Sequence, residues 1–161
     1  TSIYFTLCFL ALILNAILNS KLVLHYFDSI NQKLDETGWR WINQYVERLP
    51  IPRISEPDQK PFEILVDYII YAKANSLEME AKFFESVIDV MVYGLYFEDD
   101  MKEADCYIVD EVKNLISPFD GSKEMVEGAY KKLKENKTVM RGLTYSRTVE
   151  PVKIINGVKN D

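Results

Sequence analysis

Residues 77–95 read Leu-Glu-Met-Glu-Ala-Lys-Phe-Phe-Glu-Ser-Val-Ile-Asp-Val-Met-Val-Tyr-Gly-Leu, a run in which apolar side chains recur in alternating steps of four and three. Such heptad-like spacing predicts a helix with one apolar stripe that packs against a second helix. The stripe, here called the seam, consists of Leu77, Ala81, Phe84, Ile88, Met91 and Leu95.

The segment before the seam carries the same periodicity. Phe62, Leu65, Ile69 and Ala72 follow a spacing of three or four, which predicts a helix over Pro61–Ala74 with Pro61 as its first residue. Only Asn75-Ser76 separates this helix from the seam, so we expect the two helices to form an antiparallel hairpin.

The rest of the sequence predicts a mainly α protein, a helical hairpin or bundle with long helices and a short β element in the N-terminal part. Few Gly and Pro residues (6 of each) favour long regular elements over a turn-rich β fold. The predicted elements are a strand at Ile3–Thr6, a long or broken helix over Leu7–Asn31, an amphipathic segment at Trp39–Arg48, a helix over Asp99–Ile116 capped by Asp99 or Asp100, a helix over Ser122–Glu135, a loop over Asn136–Gly142, and a strand or short helix over Leu143–Ile155.

Composition and charge limit the classes of function. The 161 residues are 48% hydrophobic and 27% charged, which is typical of a globular domain and excludes wholesale disorder. The net charge of −6 opposes binding to a polyanion, but residues 1–53 hold five Lys or Arg against four Asp or Glu. Any DNA-facing surface should therefore lie in the first third of the chain. The two distant cysteines, Cys8 and Cys106, indicate reduced thiols and a cytoplasmic location.

The residues needed for common catalytic and metal sites do not come together in the sequence. His25, the only histidine, has no nucleophile motif near it and is expected to be a packed residue. Glu80 and Lys82 mimic a nuclease Glu-x-Lys but fall inside the seam helix, where residues two apart diverge. One His and two Cys cannot supply a zinc site. The sequence therefore predicts no catalytic residue, no metal and no cofactor bound by this chain.

The uncharged segment Thr1–Ser20 raises the alternative of a membrane anchor or signal sequence. Asn15 and Asn19 interrupt its second half, and the apolar pattern continues past Lys21. A buried core helix is the favoured interpretation, with a membrane-anchored domain kept as an alternative.

Three motifs resemble a known family. Leu18-Asn19-Ser20-Lys21-Leu22 is followed about thirty residues later by Leu49-Pro50-Ile51-Pro52, and residues 91–102 read Met-Val-Tyr-Gly-Leu-Tyr-Phe-Glu-Asp-Asp-Met-Lys. This combination resembles the end of the target-recognition region of adenine-specific DNA methyltransferases and fused type II restriction–modification enzymes, the family with a TaqI-like C-terminal specificity domain.

The resemblance implies that the chain is a C-terminal part of a larger enzyme that methylates adenine with S-adenosylmethionine, often with an endonuclease attached. Residues 1–56 would complete the target-recognition region, and residues 57–161 would form a C-terminal helical hairpin or bundle. The chain lacks the family's Asn-Pro-Pro-Tyr motif, so no catalytic residue is carried over. The implied partners are double-stranded DNA and the rest of the same polypeptide, without a membrane.

The DNA-binding candidates are the basic residues of the first third. Gly38-Trp39-Arg40-Trp41 loosely matches a Gly-x-Arg-Trp element of the family, and arginine can bind guanine or phosphate. The full set is Lys21, Lys33, Arg40, Arg48 and Arg53. The alternative from another class of function is a stand-alone helical protein-interaction module that uses the seam as its partner surface.

Overall fold

The computed structural model describes residues 12–30 and 50–157, and all regular secondary structure within those two ranges is helical. The mainly α fold is therefore confirmed, whereas the predicted strand at Ile3–Thr6 and the segment Trp39–Arg48 lie outside the described residues. The helices are α1 (residues 12–18), α2 (Lys21–Ile30), α3 (Glu56–Ala74), α4 (Glu78–Tyr96), α5 (Glu98–Glu103), α6 (Val109–Leu115), α7 (Lys123–Glu135), α8 (Lys137–Tyr145) and α9 (Glu150–Ile155), with a 3₁₀ turn at Ser146–Thr148.

The predicted antiparallel hairpin is formed by α3 and α4. Helices α3 and α4 have 19 residues each and pack against each other, and only residues 75–77 connect them. Helices that are packed together and joined by so short a connection run in opposite directions. Across their interface Lys73 pairs with Glu85 at 2.5 Å, and the rings of Tyr68 and Phe84 lie 5.5 Å apart. The hairpin is the centre of the structure, since α2, α7 and α8 all pack against α4.

The seam is an internal interface of the chain. Ala81, Phe84, Ile88 and Met91 are at most 5% exposed, and Leu77 and Leu95 pack at the edges of the same core. Every residue from 87 to 94 is buried, so the second half of α4 is covered on all sides. The seam is consequently not a free surface for a partner protein.

The hairpin turn ends α3 with a Schellman motif. Ser76 adopts a left-handed conformation (φ 59°), its amide donates to the Lys73 carbonyl at 3.5 Å, and the Leu77 amide donates to the Ala72 carbonyl at 2.8 Å. These bonds satisfy carbonyls at the end of α3 that have no partner within the helix.

The helix predicted over Asp99–Ile116 is wrong as a single element, because a second Schellman motif divides it into α5 and α6. Asp105 is left-handed (φ 55°) and its amide donates to the Lys102 carbonyl at 3.0 Å, while Cys106 donates to Met101 at 2.8 Å. Glycine usually fills this position, and Asp gives no comparable sequence signal. The predicted Asp99 or Asp100 cap is also wrong, since both acids lie inside the first turn of α5 and its N-cap is Phe97.

Helix α3 begins at Glu56, five residues before the predicted start at Pro61. Pro57 lies in the first turn, where amides have no helical partner, and Glu56 and Asp58 favour the positive end of the helix dipole. Pro61 lies inside the helix and is buried, so core packing offsets the hydrogen bond that its ring removes.

The predicted loop over Asn136–Gly142 is wrong, because α8 begins directly after α7. Asn136 ends α7 and also caps α8, where its side-chain oxygen accepts a hydrogen bond from the Val139 amide at 3.0 Å. The predicted helix over Ser122–Glu135 is confirmed as α7, with Ser122 as its N-cap accepting from Met125 at 3.2 Å.

The segment Leu143–Ile155, left open between strand and short helix, is helical. It contains the end of α8, the 3₁₀ turn and α9, whose Val152 is fully buried.

The predicted long or broken helix of the N-terminal part is broken within its described residues, at Asn19-Ser20 between α1 and α2. Helix α2 packs against α4 and α9, with Leu22 and Val23 buried. The proposed boundary between residues 56 and 57 falls in the first turn of α3.

Candidate functional site

The five predicted DNA-binding residues divide into two groups. Lys33, Arg40 and Arg48 lie outside the described residues. Lys21 is the first residue of α2, and Arg53 is exposed on the extended segment that leads into α3. Within the described residues, the structure does not bring Lys21 and Arg53 into contact with each other.

The Leu-Asn-Ser-Lys-Leu motif forms the corner between α1 and α2. Ser20 is only 1% exposed, and its hydroxyl donates to the Ile17 carbonyl at 2.7 Å while accepting from the Val23 amide at 3.4 Å. Serine is a preferred N-cap because its short side chain can accept from an amide of the first turn. This motif therefore begins α2 at a defined residue.

Asp89 of α4 contacts the same corner from a distance of 68 residues in sequence. Its carboxylate accepts a hydrogen bond from the Lys21 amide at 2.9 Å and pairs with the Lys21 ammonium at 3.2 Å. The Asp89 side chain is 12% exposed, whereas that of Lys21 is 54% exposed. A carboxylate at the N-terminus of α2 also compensates the positive end of the helix dipole.

Burial raises the pKa of Asp89 above its usual 3.8, although the amide and ammonium of Lys21 act in the opposite direction. Desolvation therefore outweighs the ion pair at this position. The sequence analysis missed Asp89, and the available signal was a single charge inside the buried run of residues 87–94.

The corner, α3 and α4 enclose an open cleft of about 420 Å³. Ala16, Val66 and Ile88 form its apolar floor, and the ion pairs Lys21–Asp89 and Lys73–Glu85 lie at its edge. The cleft thus combines an apolar base with charged groups that are already paired with one another.

A second cavity, of about 290 Å³, lies between α2 and the end of α4. It is lined from one side by Leu22, Tyr26 and other α2 residues, and from the other by Pro50 and Tyr96. The described residues on either side of segment 31–49 thus border one cavity. His25 also lines it and is exposed, so the expectation of a packed histidine is wrong.

The surroundings of the potentially reactive side chains in the described residues do not form a catalytic arrangement. Cys106 is buried, which raises the pKa of its thiol, and burial raises the pKa of Tyr93 to about 12. Glu80 and Lys82 lie on α4, on a helix and not on adjacent strands. In residues 12–30 and 50–157, no group of three or more His, Cys, Asp or Glu is arranged to hold a metal ion.

Comparison with protein-family models, with curated proteins and with solved structures gives no match to this chain. Among the helices of the described ranges, none has the length and apolar character needed to cross a membrane.

The contribution of three carboxyl groups to the stability of the fold is expected to increase as the pH is lowered from 7 to about 5. Burial raises the pKa of Glu63, Asp67 and Asp89. Protonation is therefore easier in the folded chain than in the unfolded one. The stability that this contributes is complete below the ordinary values of 3.8 to 4.5 and is lost as the pH rises through the raised values.

Urea denaturation across this pH range, above the sequence pI of about 4.9, measures the effect. The triple variant Glu63→Gln, Asp67→Asn, Asp89→Asn should flatten the profile, and the exposed-site control Glu103→Gln should leave it unchanged. A wild-type stability that falls as the pH is lowered from 7 to about 5 would contradict the assignment. Asp58 does not interfere, because the hydrogen bond from Ser55 lowers its pKa and its titration lies below this window.

Proposed function

We propose that this chain is the C-terminal DNA-recognition and scaffold segment of a type II restriction–modification enzyme, an adenine-specific DNA methyltransferase that can carry an endonuclease. In this proposal the chain works in the cytoplasm, as part of a polypeptide that binds S-adenosylmethionine and double-stranded DNA. The sequence motifs support the parentage, and the anchoring of segment 31–49 at both ends supports the scaffold role.

The anchoring is the observation on which the proposal rests. Before the segment, α2 is held by buried Leu22 and Val23 and by the bond from its first amide to Asp89. After it, Ile54 packs against the core and its carbonyl accepts a hydrogen bond from the Gln59 side chain at 2.7 Å. Functional residues are often found on segments held by a rigid scaffold at both ends.

The charge distribution along the sequence indicates which segment would contact DNA. Glu98, Asp99 and Asp100 are consecutive acids of α5, all three are exposed, and they repel phosphate. The basic excess of residues 1–53 includes three residues of segment 31–49: Lys33, Arg40 and Arg48. We therefore place the DNA contacts on this segment and on Arg53.

DNA binding by the chain tests the proposal. The triple variant Lys33→Gln, Arg40→Gln, Arg48→Gln should weaken binding to a fluorescent duplex and reduce the steepness of its salt dependence. Each lost phosphate contact lowers the slope of log K against log salt by about 0.9, so three lost contacts lower it by about 2.7. Fluorescence anisotropy across a salt series gives both quantities.

The matched control removes the same number of positive charges from a described helix, with Lys131, Lys132 and Lys134 of α7 changed to Gln. These lysines are exposed on a helix far along the chain from the basic segment. The control separates a local contact from the general effect of net charge. Equal affinity and equal slope for the wild type and the segment 31–49 variant would exclude the proposed DNA-binding role.

A further inference from the structure

We propose that the pair formed by Lys21 and Asp89 is a latch that sets the orientation of α2, and through it the position of the DNA-recognition segment that follows Ile30. The latch assigns Lys21 a positioning role in place of the phosphate contact predicted from sequence. This inference rests on the proposed function for its DNA-binding consequence, whereas the effect on α2 stands on geometry alone.

Helix α2 needs an external anchor because it is short. It has ten residues, below the roughly 12–15 at which an isolated helix becomes even marginally stable in water. Of its described side chains, Leu22 and Val23 near the corner are buried and Tyr26 packs partly buried against the core, while Leu24 and His25 are exposed. The most enclosed of these described contacts therefore lie in the first turn of the helix.

Asp89 is suited to hold that first turn because it does not move independently. It lies in the middle of α4 between buried Ile88 and Val90, within the longest run of buried residues in the described part of the chain. Its two oxygens bind two groups of Lys21, the amide at 2.9 Å and the ammonium at 3.2 Å. Two bonds to one residue restrain rotation of α2 more strongly than a single apolar contact, because hydrogen bonds depend on direction.

The ion pair is not explained by stability alone. Taking a carboxylate out of water is costly, and replacing a buried ion pair with apolar side chains is often neutral or stabilising. Because the ammonium of Lys21 is half exposed, its attraction to Asp89 adds little to the stability of the fold. What the pair supplies is a directional restraint between α2 and the hairpin.

Lys21 is also poorly available for DNA. Its ammonium is shared with Asp89, and Lys73 on the same cleft is paired with Glu85, so a phosphate group would compete with a carboxylate for each lysine. Like-charge repulsion disfavours phosphate at this position. The basic residues that remain candidates for phosphate contact are those of segment 31–49 and Arg53.

Hydrogen exchange tests the restraint on α2. Asp89→Leu removes both bonds and keeps the number of side-chain heavy atoms, Asp89→Asn keeps a hydrogen-bond acceptor for the Lys21 amide, and Lys21→Gln removes only the ammonium. Asp89→Leu removes a charge-assisted bond and should speed amide hydrogen exchange in α2 by about tenfold or more. Asp89→Asn and Lys21→Gln should each speed this exchange by a smaller amount, equal for the two variants. Exchange in α4 should change much less. An equal increase in α2 and α4 would show general destabilisation and overturn the latch.

DNA binding tests the positioning role, with the duplex and salt series used for the segment 31–49 variants. Lys21→Gln and Asp89→Asn should weaken binding to the same extent and leave the salt slope unchanged. A slope lowered by about 0.9 for Lys21→Gln alone would identify a phosphate contact and overturn the inference. Unchanged affinity in all three variants, with wild-type binding intact, would overturn it as well.

The two proposals fail in different ways. If the wild-type chain shows no salt-dependent DNA binding, the proposed function fails and the positioning role fails with it. Faster amide hydrogen exchange in α2 than in α4 of the Asp89→Leu variant would still establish the restraint on α2. If Asp89→Leu does not fold, the comparison of Asp89→Asn with Lys21→Gln decides the outcome, since both keep an acceptor for the amide.

Discussion

Phe84→Ala is expected to lower the free energy of unfolding by about 3–5 kcal/mol, the usual cost of removing a fully buried aromatic ring. Phe84 is completely buried where three helices meet, with its ring 5.5 Å from Tyr68 of α3 and 6.5 Å from Tyr130 of α7. Removing the ring leaves a cavity that all three helices would have to move to fill. Urea denaturation followed by circular dichroism measures the loss.

Met79→Ala on the same helix is the matched control. Met79 is 69% exposed, so its truncation should change stability by no more than about 0.5 kcal/mol. If Phe84→Ala instead leaves the monomer stable and dissociates an oligomer, the seam is a partner surface and the internal core described here is wrong.

Gly142→Ala is expected to destabilise the chain by about 1–3 kcal/mol, because a new methyl group is forced into a packed site. A β-carbon on Gly142 would overlap the Ile108 side chain and would lie 3.1 Å from the Cys106 carbonyl oxygen. Both neighbours belong to the segment between α5 and α6, whose backbone would have to shift. This cost exceeds the gain in helix propensity of about 1 kcal/mol from replacing glycine.

Gly128→Ala is expected to change the free energy of unfolding in the opposite direction, and it is the control for helix propensity. Gly128 lies inside α7, and a β-carbon there would meet nothing within 4 Å. We expect this change to stabilise the chain by about 0.5–1 kcal/mol. Thermal or urea denaturation of the two variants beside the wild type gives the comparison, and a Gly142→Ala variant as stable as Gly128→Ala would contradict the close approach of α8 to Ile108.

The helices with strong periodicity were predictable because helix periodicity is a local property. The spacing of apolar residues predicted α4, most of α3 and the two-residue turn between them, and Ser122 marked the start of α7. Two of the errors fall where the chain changes direction without Gly or Pro. Asp105 ends a helix in a conformation that glycine usually adopts, and Asn136 ends one helix while capping the next.

The candidate site was only partly predictable. The Leu-Asn-Ser-Lys-Leu motif was singled out from the sequence, but Lys21 was assigned to DNA binding. The sequence gives the charge of a basic residue and does not show which group that residue contacts. The resemblance to DNA methyltransferases and the roles of Lys33, Arg40 and Arg48 stay predictions until the binding experiments are done.

The sequence by itself determined the helical class and the hairpin, since apolar side chains spaced three and four apart fall on one side of a helix wherever that helix is placed. Only the tertiary structure decided that the seam is internal, that Asp89 meets Lys21 across 68 residues, and that Gly142 lies against Ile108. These features depend on the distance between groups that are remote in sequence, and that distance is set by the packing of the whole core.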